Sequence, residues 1–169
     1  MPVFIVLLRA VNVGGTGKLP MSDLKRLCEK AGFQNVRTYI ASGNVVAERD
    51  GSGMQAKAAL EAELKAYAGK PVGVIVRTVA EMAKVVALNP FPARSANTTV
   101  AIFLDQPPPP DTLKDIKGRA SEEVRLGACE IYVHYPDGIG RSKLRIPPAN
   151  DGTARNMNTV AKLAAMAAK

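Results

Sequence analysis

The chain opens on VFIVLL, Val3 to Leu8, an unbroken apolar run of strand length that predicts a strand buried on both faces. From Met21 to Ala31 the period changes. Met21, Leu24, Leu27, Cys28 and Ala31 recur at helical spacing, and Gly32 supplies a stop. In VRTYIASGNVVAE the turn residues Ser42-Gly43-Asn44 split an extended stretch into a hairpin of Val36 to Ile40 and Asn44 to Glu48. After the Asp50-Gly51-Ser52-Gly53 break, the Ala-, Leu-, Glu- and Lys-rich stretch from Met54 to Ala68 predicts a helix, and VGVIVRT after Pro71 another strand. The order is βαββαβ, the ferredoxin-like split pattern.

A short helix over Val79 to Leu88 follows, and Asn89-Pro90-Phe91-Pro92 then interrupts regular structure, marking a boundary between units 1–89 and 90–169. The second half partly repeats the first. Thr99 to Asp105 reads as a strand, Pro107 to Pro110 as a polyproline connector and Asp111 to Arg119 as a helix. Val124 to Leu126 and Cys129 to Tyr135 read as strands, and Asn156 to Ala168 as a terminal helix, giving βαββα. The expected fold is therefore α+β, with two related ferredoxin-like units packed as one compact, cooperative protein.

The 169 residues, 47% of them hydrophobic, are enough to bury a sizeable core. No apolar run is long enough for a transmembrane helix, and Met1 to Leu8 lacks the basic region and cleavage site of a secretory signal, so a cytoplasmic protein without a membrane partner is expected. Cys28 and Cys129 stand far apart and His134 is the sole histidine, which predicts no disulfide framework, no metal site and no cofactor. His134 shares one strand face with Tyr132, opposite Ile131, Val133 and Tyr135, and is expected at the surface or half buried. No G-x-S-x-G elbow supports a serine triad. Glu61/Glu63 and Glu122/Glu123 lie in solvated, charged contexts.

The net charge of +8 is unevenly placed. Residues 1–50 carry +3, residues 51–137 carry zero and residues 138–169 carry +5. Such ends attract polyanions, although solubility alone also accounts for them. With no Trp and 5% aromatics, base stacking is poorly provided for, and nucleic-acid binding would rest on backbone phosphates.

VNVGGTGKLP, Val11 to Pro20, is an incomplete phosphate loop: Asn12 stands where the first glycine belongs and Leu19 where the metal-binding hydroxyl belongs. The βαββαβ order nevertheless brings this loop to the same sheet edge as the Ser42 turn. Arg9, Asn12 and Lys18 would then neighbour Ser42 and Asn44 beside the first helix's N-terminus, forming an anion pocket in which glycines such as Gly14 and Gly15 allow close backbone approach. The plainer reading is that the glycines only shape a long connection. Near the C-terminus, Arg141 and Lys143 flank Ser142 in PDGIGRSKL, and GTARNMNTV sets Arg155 near a helix start, where a cation calls for a compensating anion or an internal carboxylate. Asn156, Asn158 and Thr159 there either bind a ligand or cap the helix.

LLRAVNVGG, MSDLKRLCEKAGFQNVRTYIASGNVV, NPF, GIGRSKL and TARNMNTVAKL, in that order, resemble the bacterial family known as domain of unknown function 1697. Members commonly have Gly at position 10 and Trp at position 157, where this chain has Ala10 and Met157. The resemblance implies a small duplicated α+β protein and no particular activity. Arg9, Asn12, Gly14, Gly15, Ser42, Gly43, Asn44, Ser142, Lys143, Arg155, Asn156, Asn158 and Thr159 match its recurrent pattern.

Three functions fit these residues. The leading one is a noncatalytic anion-binding module for nucleic-acid backbone or a phosphorylated metabolite, with Arg9, Lys143 and Arg155 as charge and Asn12, Asn44 and Asn156 as donors. The second is an enzyme on a phosphorylated or carboxylated small molecule, using Ser42 or Ser142 with Lys143. The third is a structural or partner-binding protein.

Overall fold

A computed structural model describes residues 1–9, 19–40 and 43–169. They form four α-helices and two four-stranded antiparallel sheets. The chain divides into two compact units, one of Met1–Met82 with Leu163–Lys169 and the other of Ala83–Lys162.

In the first unit, β1 (Val3–Leu8), α1 (Met21–Lys30), β2 (Gln34–Thr38), β3 (Asn44–Glu48), α2 (Gly53–Ala68) and β4 (Val74–Thr78) follow the expected order. The sheet order is β2-β3-β1-β4. Because β1 lies between two neighbours, its residues are buried from Phe4 onward, which is why the run has no polar alternation. Phe4, Val6 and Leu8 pack with Val45, Ala47 and Val74 against Leu24, Leu27 and Cys28 of α1 and Ala56, Leu60 and Leu64 of α2. Burial pushes the Cys28 thiol up to about 12, leaving it an inert apolar filler. Ser52 caps α2 reciprocally with Gln55, while α1 ends where Gly32 adopts φ +97°.

After α3 (Val79–Ala87), the second unit contains β5 (Thr99–Phe103), β6 (Glu123–Leu126), β7 (Glu130–His134), β8 (Thr153–Asn156) and the start of α4 (Met157–Ala167). Its order, β6-β7-β5-β8, matches that of the first sheet strand for strand. One face carries Val100, Ile102, Val124, Ile131 and Val133, covered by Ile116, Leu144, Ile146 and Ala149 from irregular segments.

The structure corrects the βαββα expectation for this unit in two places. The helix expected over 111–119 is a single 3-10 turn, Thr112–Asp115, followed by extended chain. Leu113 and Ile116 are too few apolar anchors for so short a helix, and Gly118 sits at φ +70°. Lys117 instead forms an isolated antiparallel bridge with Arg145. The second correction is β8, a strand that was not expected and that takes in Asn156, the first residue of the expected terminal helix. Its inward residues are Thr153 and Arg155, so its alternation is hidden from a hydrophobic pattern.

Candidate functional site

Of the residues expected at the first sheet edge, Asn12, Gly14, Gly15, Lys18 and Ser42 lie outside the described residues. Arg9 and Asn44 are described. The strand directions bring the end of β1 beside the β2–β3 turn: Leu8 N donates to Gly43 O at 2.9 Å, and Arg9 N donates to Gly73 O at 2.9 Å. Asn44 is fully buried, and its Nδ2 donates to Tyr39 O at 2.9 Å, so this amide ties the hairpin together. Ile40 is 51% exposed at φ +51°, an uncommon conformation for a β-branched residue.

The remaining residues belong to the second unit, and the fold treats them differently. Arg155 lies on β8, two residues before α4 rather than at its first turn, and is 7% exposed. Its Nη1 donates to Thr153 Oγ1 at 2.6 Å and to Ala154 O at 3.0 Å. Burial lowers the guanidinium to about 10, still charged at neutral pH. Asn156 Oδ1 accepts from Thr159 N at 2.9 Å and caps α4, while Asn158 Nδ2 donates to Asn97 Oδ1. His134, expected nearer the surface, is 6% exposed on a central strand, with Nδ1 3.2 Å from Thr99 Oγ1 and its ring tilted against Phe91. Its contacts with Thr99 and the Phe91 ring are tertiary, and its own strand pattern does not carry them.

Arg141, Ser142 and Lys143 do come together, and with additional cations. Arg141 closes a 3-10 turn, Ile139–Arg141, after which the chain runs extended through Ser142. Ser142 and Leu144 are half buried, whereas Arg141, Lys143 and Arg145 are exposed. The alternation Arg-Ser-Lys-Leu-Arg thus separates an inward side from a cationic outward side. Lys117 N donates to Arg145 O at 3.0 Å and Arg145 N to Lys117 O at 2.7 Å, which sets two exposed cations directly opposite each other. Sequence reading missed Lys117 and Arg145. Arg145 was legible as the next step of the alternation; Lys117 was concealed by the expected helix.

Two carboxylates of the second unit, Glu122 and Asp137, have partners of their own. Glu122 Oε2 accepts from Ser142 Oγ at 2.7 Å and its Oε1 from Ala120 N at 2.6 Å. The Ser142 bond first, then the Ala120 amide, hold this carboxyl below the usual glutamate range. Asp137 accepts from Ser121 Oγ at 2.9 Å. With its hydroxyl on Glu122, and its side chain on the opposite side of the segment from Lys143, Ser142 is not arranged as a nucleophile with that lysine as base. Beside the row is a hollow of about 280 Å³ lined by Ile102, Tyr135, Leu144, Ile146 and Ala149, with Arg145 and Asn150 at its polar side. Burial raises the Tyr135 phenol, which stays neutral. Among the described residues no group of three or more His, Cys, Asp or Glu is placed to hold a metal, and no helix is long and apolar enough to cross a membrane.

Among the described residues, two antiparallel four-stranded sheets with four helices define a mixed α+β protein. The chain belongs to the family described as Protein of unknown function (DUF1697), which matches residues 1–132. The matched stretch ends before Arg141, so the cationic segment lies beyond it. In fold the chain is similar to the conserved bacterial protein SP0830 from Streptococcus pneumoniae, with a TM-score of 0.81 and 20% identity over 100% of this chain and 99% of that one. No curated protein matches the chain.

Proposed function

We propose that this protein is a noncatalytic anion-binding module that holds phosphate groups on the exposed cations of its second unit, Lys117, Arg141, Lys143 and Arg145. The observation that carries this reading is the Lys117–Arg145 bridge, which sets like charges opposite each other on paired backbone. Such a pair is destabilising when bare and is relieved by a bound anion. Arg155 and Asn44, both buried and internally bonded, serve the fold. The matching strand orders support reading both units as ferredoxin-like, the second a diverged copy with its first helix reduced to a 3-10 turn.

The test is fluorescence anisotropy with a labelled phosphate polymer at two salt concentrations. Neutralising three phosphates should cost roughly 20-fold in affinity between 50 and 200 mM salt, and Lys143→Ala with Arg145→Ala should reduce that dependence. Affinity indifferent to salt and to both substitutions refutes the reading.

A further inference from the structure

We propose that the hollow beside the cationic row takes one base of a single-stranded nucleic acid whose phosphates run along Arg145, Lys143 and Arg141; this rests on the anion-binding reading above. Two features combine. Ile102, Leu144, Ile146 and Ala149 bring aliphatic side chains to the lining of the hollow, contacts that a bare phosphate would leave unused. Arg145, which lines the same hollow, also belongs to the cationic row, so an occupant in contact with both is apolar at one end and anionic at the other.

Size and spacing narrow the class. At about 280 Å³ the hollow is near the lower limit of small-molecule pockets, room for one ring system rather than several. Lys143 and Arg145 are two residues apart in extended chain, roughly 6 to 7 Å, so the row presents successive charges rather than converging on one phosphate. A planar base followed by repeating phosphates meets both conditions. The strand must be single, because a duplex keeps its base faces stacked inside. Tyr135, which lines the hollow, supplies a ring for stacking.

Anisotropy titrations of the full chain with a labelled oligothymidylate and an abasic strand of equal length test the assignment. The abasic strand should bind about tenfold more weakly, as expected for the loss of one stacked base. Tyr135→Leu should erase that difference. Because Tyr135 packs against the core, Ala149→Leu is the second variant: it fills the hollow without removing a contact, and should also erase the difference while circular dichroism stays native. Equal affinity for both strands in the wild type overturns the base site and leaves the anion-binding reading standing. Failure of both strands to bind overturns both readings. A preference for bases that survives both variants assigns the base elsewhere and overturns the hollow. Thymidine monophosphate binding as tightly as the oligonucleotide overturns the strand.

Discussion

A Cβ placed on Gly118 would meet the Lys143 carbonyl oxygen, and the residue's φ of +70° belongs to the left-handed region. Both features leave Gly118→Ala no unstrained solution, since the obstacle is backbone rather than a movable side chain. The substitution should cost about 2 kcal/mol in urea denaturation and weaken anion binding through the displaced Lys117–Arg145 bridge. An unchanged midpoint would show that the segment yields. Glu122 gives a second prediction. Bonds from Ser142 and Ala120 hold its folded pKa below the unfolded value, so the folded protein binds fewer protons there. Its stabilisation is therefore complete above about pH 4.3 and is lost as pH falls through the folded pKa. Glu122→Gln should flatten that acid limb of the stability curve, and parallel curves for variant and wild type would refute the assignment. Single residues also explain what remained illegible in the site. Arg141, Ser142 and Lys143 were found because charges in a turn-rich stretch stand out. Arg155 carries the same charge, yet its burial and its bond to Thr153 depend on neighbours that a sequence does not place.

Elements show the same division between local and tertiary causes. The order of regular elements in the first unit was legible, with β2 two residues earlier than expected, because the sequence carries punctuation between them: Gly32 after α1, Ser42-Gly43-Asn44 in the hairpin, and the Asp50-Gly51-Ser52-Gly53 break before α2. In the second unit, β8 and α4 adjoin without a breaker between them, so a helix was expected from Asn156 with no strand before it. Asn156 marks the junction, its side chain accepting from Thr159 N just as the chain leaves the sheet. Asn156→Ala should cost about 1 kcal/mol in thermal or chemical denaturation, and Asn156→Asp should keep most of that stability because it retains the accepting oxygen. The same variants separate two roles for this residue. If Asn156→Ala leaves oligonucleotide affinity intact while lowering stability, capping is its whole contribution; a loss of affinity at unchanged stability would return it to the binding surface.

For the whole molecule, a net charge of +8 admits an alternative to any local site, since diffuse positive charge alone draws polyanions. Placement separates the two. The surplus of the last 32 residues includes Arg141, Lys143 and Arg145, which the fold leaves exposed next to Lys117, whereas Lys25 and Lys70 are exposed on the first unit. Reversing Lys143 and Arg145 to Glu, or Lys25 and Lys70 to Glu, changes the net charge by the same amount. A diffuse field predicts equal losses of oligonucleotide affinity for both pairs. A localised site predicts that the first pair loses roughly tenfold or more, as close contacts with two phosphates are replaced by repulsion, and that the second changes little at 150 mM salt, where charges beyond about 8 Å are screened. Titrations at 50 mM salt complete the comparison. There the Lys25 and Lys70 pair should lose some affinity, because weaker screening lets distant charge contribute, while the Lys143 and Arg145 pair should lose still more, because fewer released counterions flatten its salt dependence. A gap that is absent at both salts would mean that the Lys117–Arg145 bridge organises structure without organising a ligand.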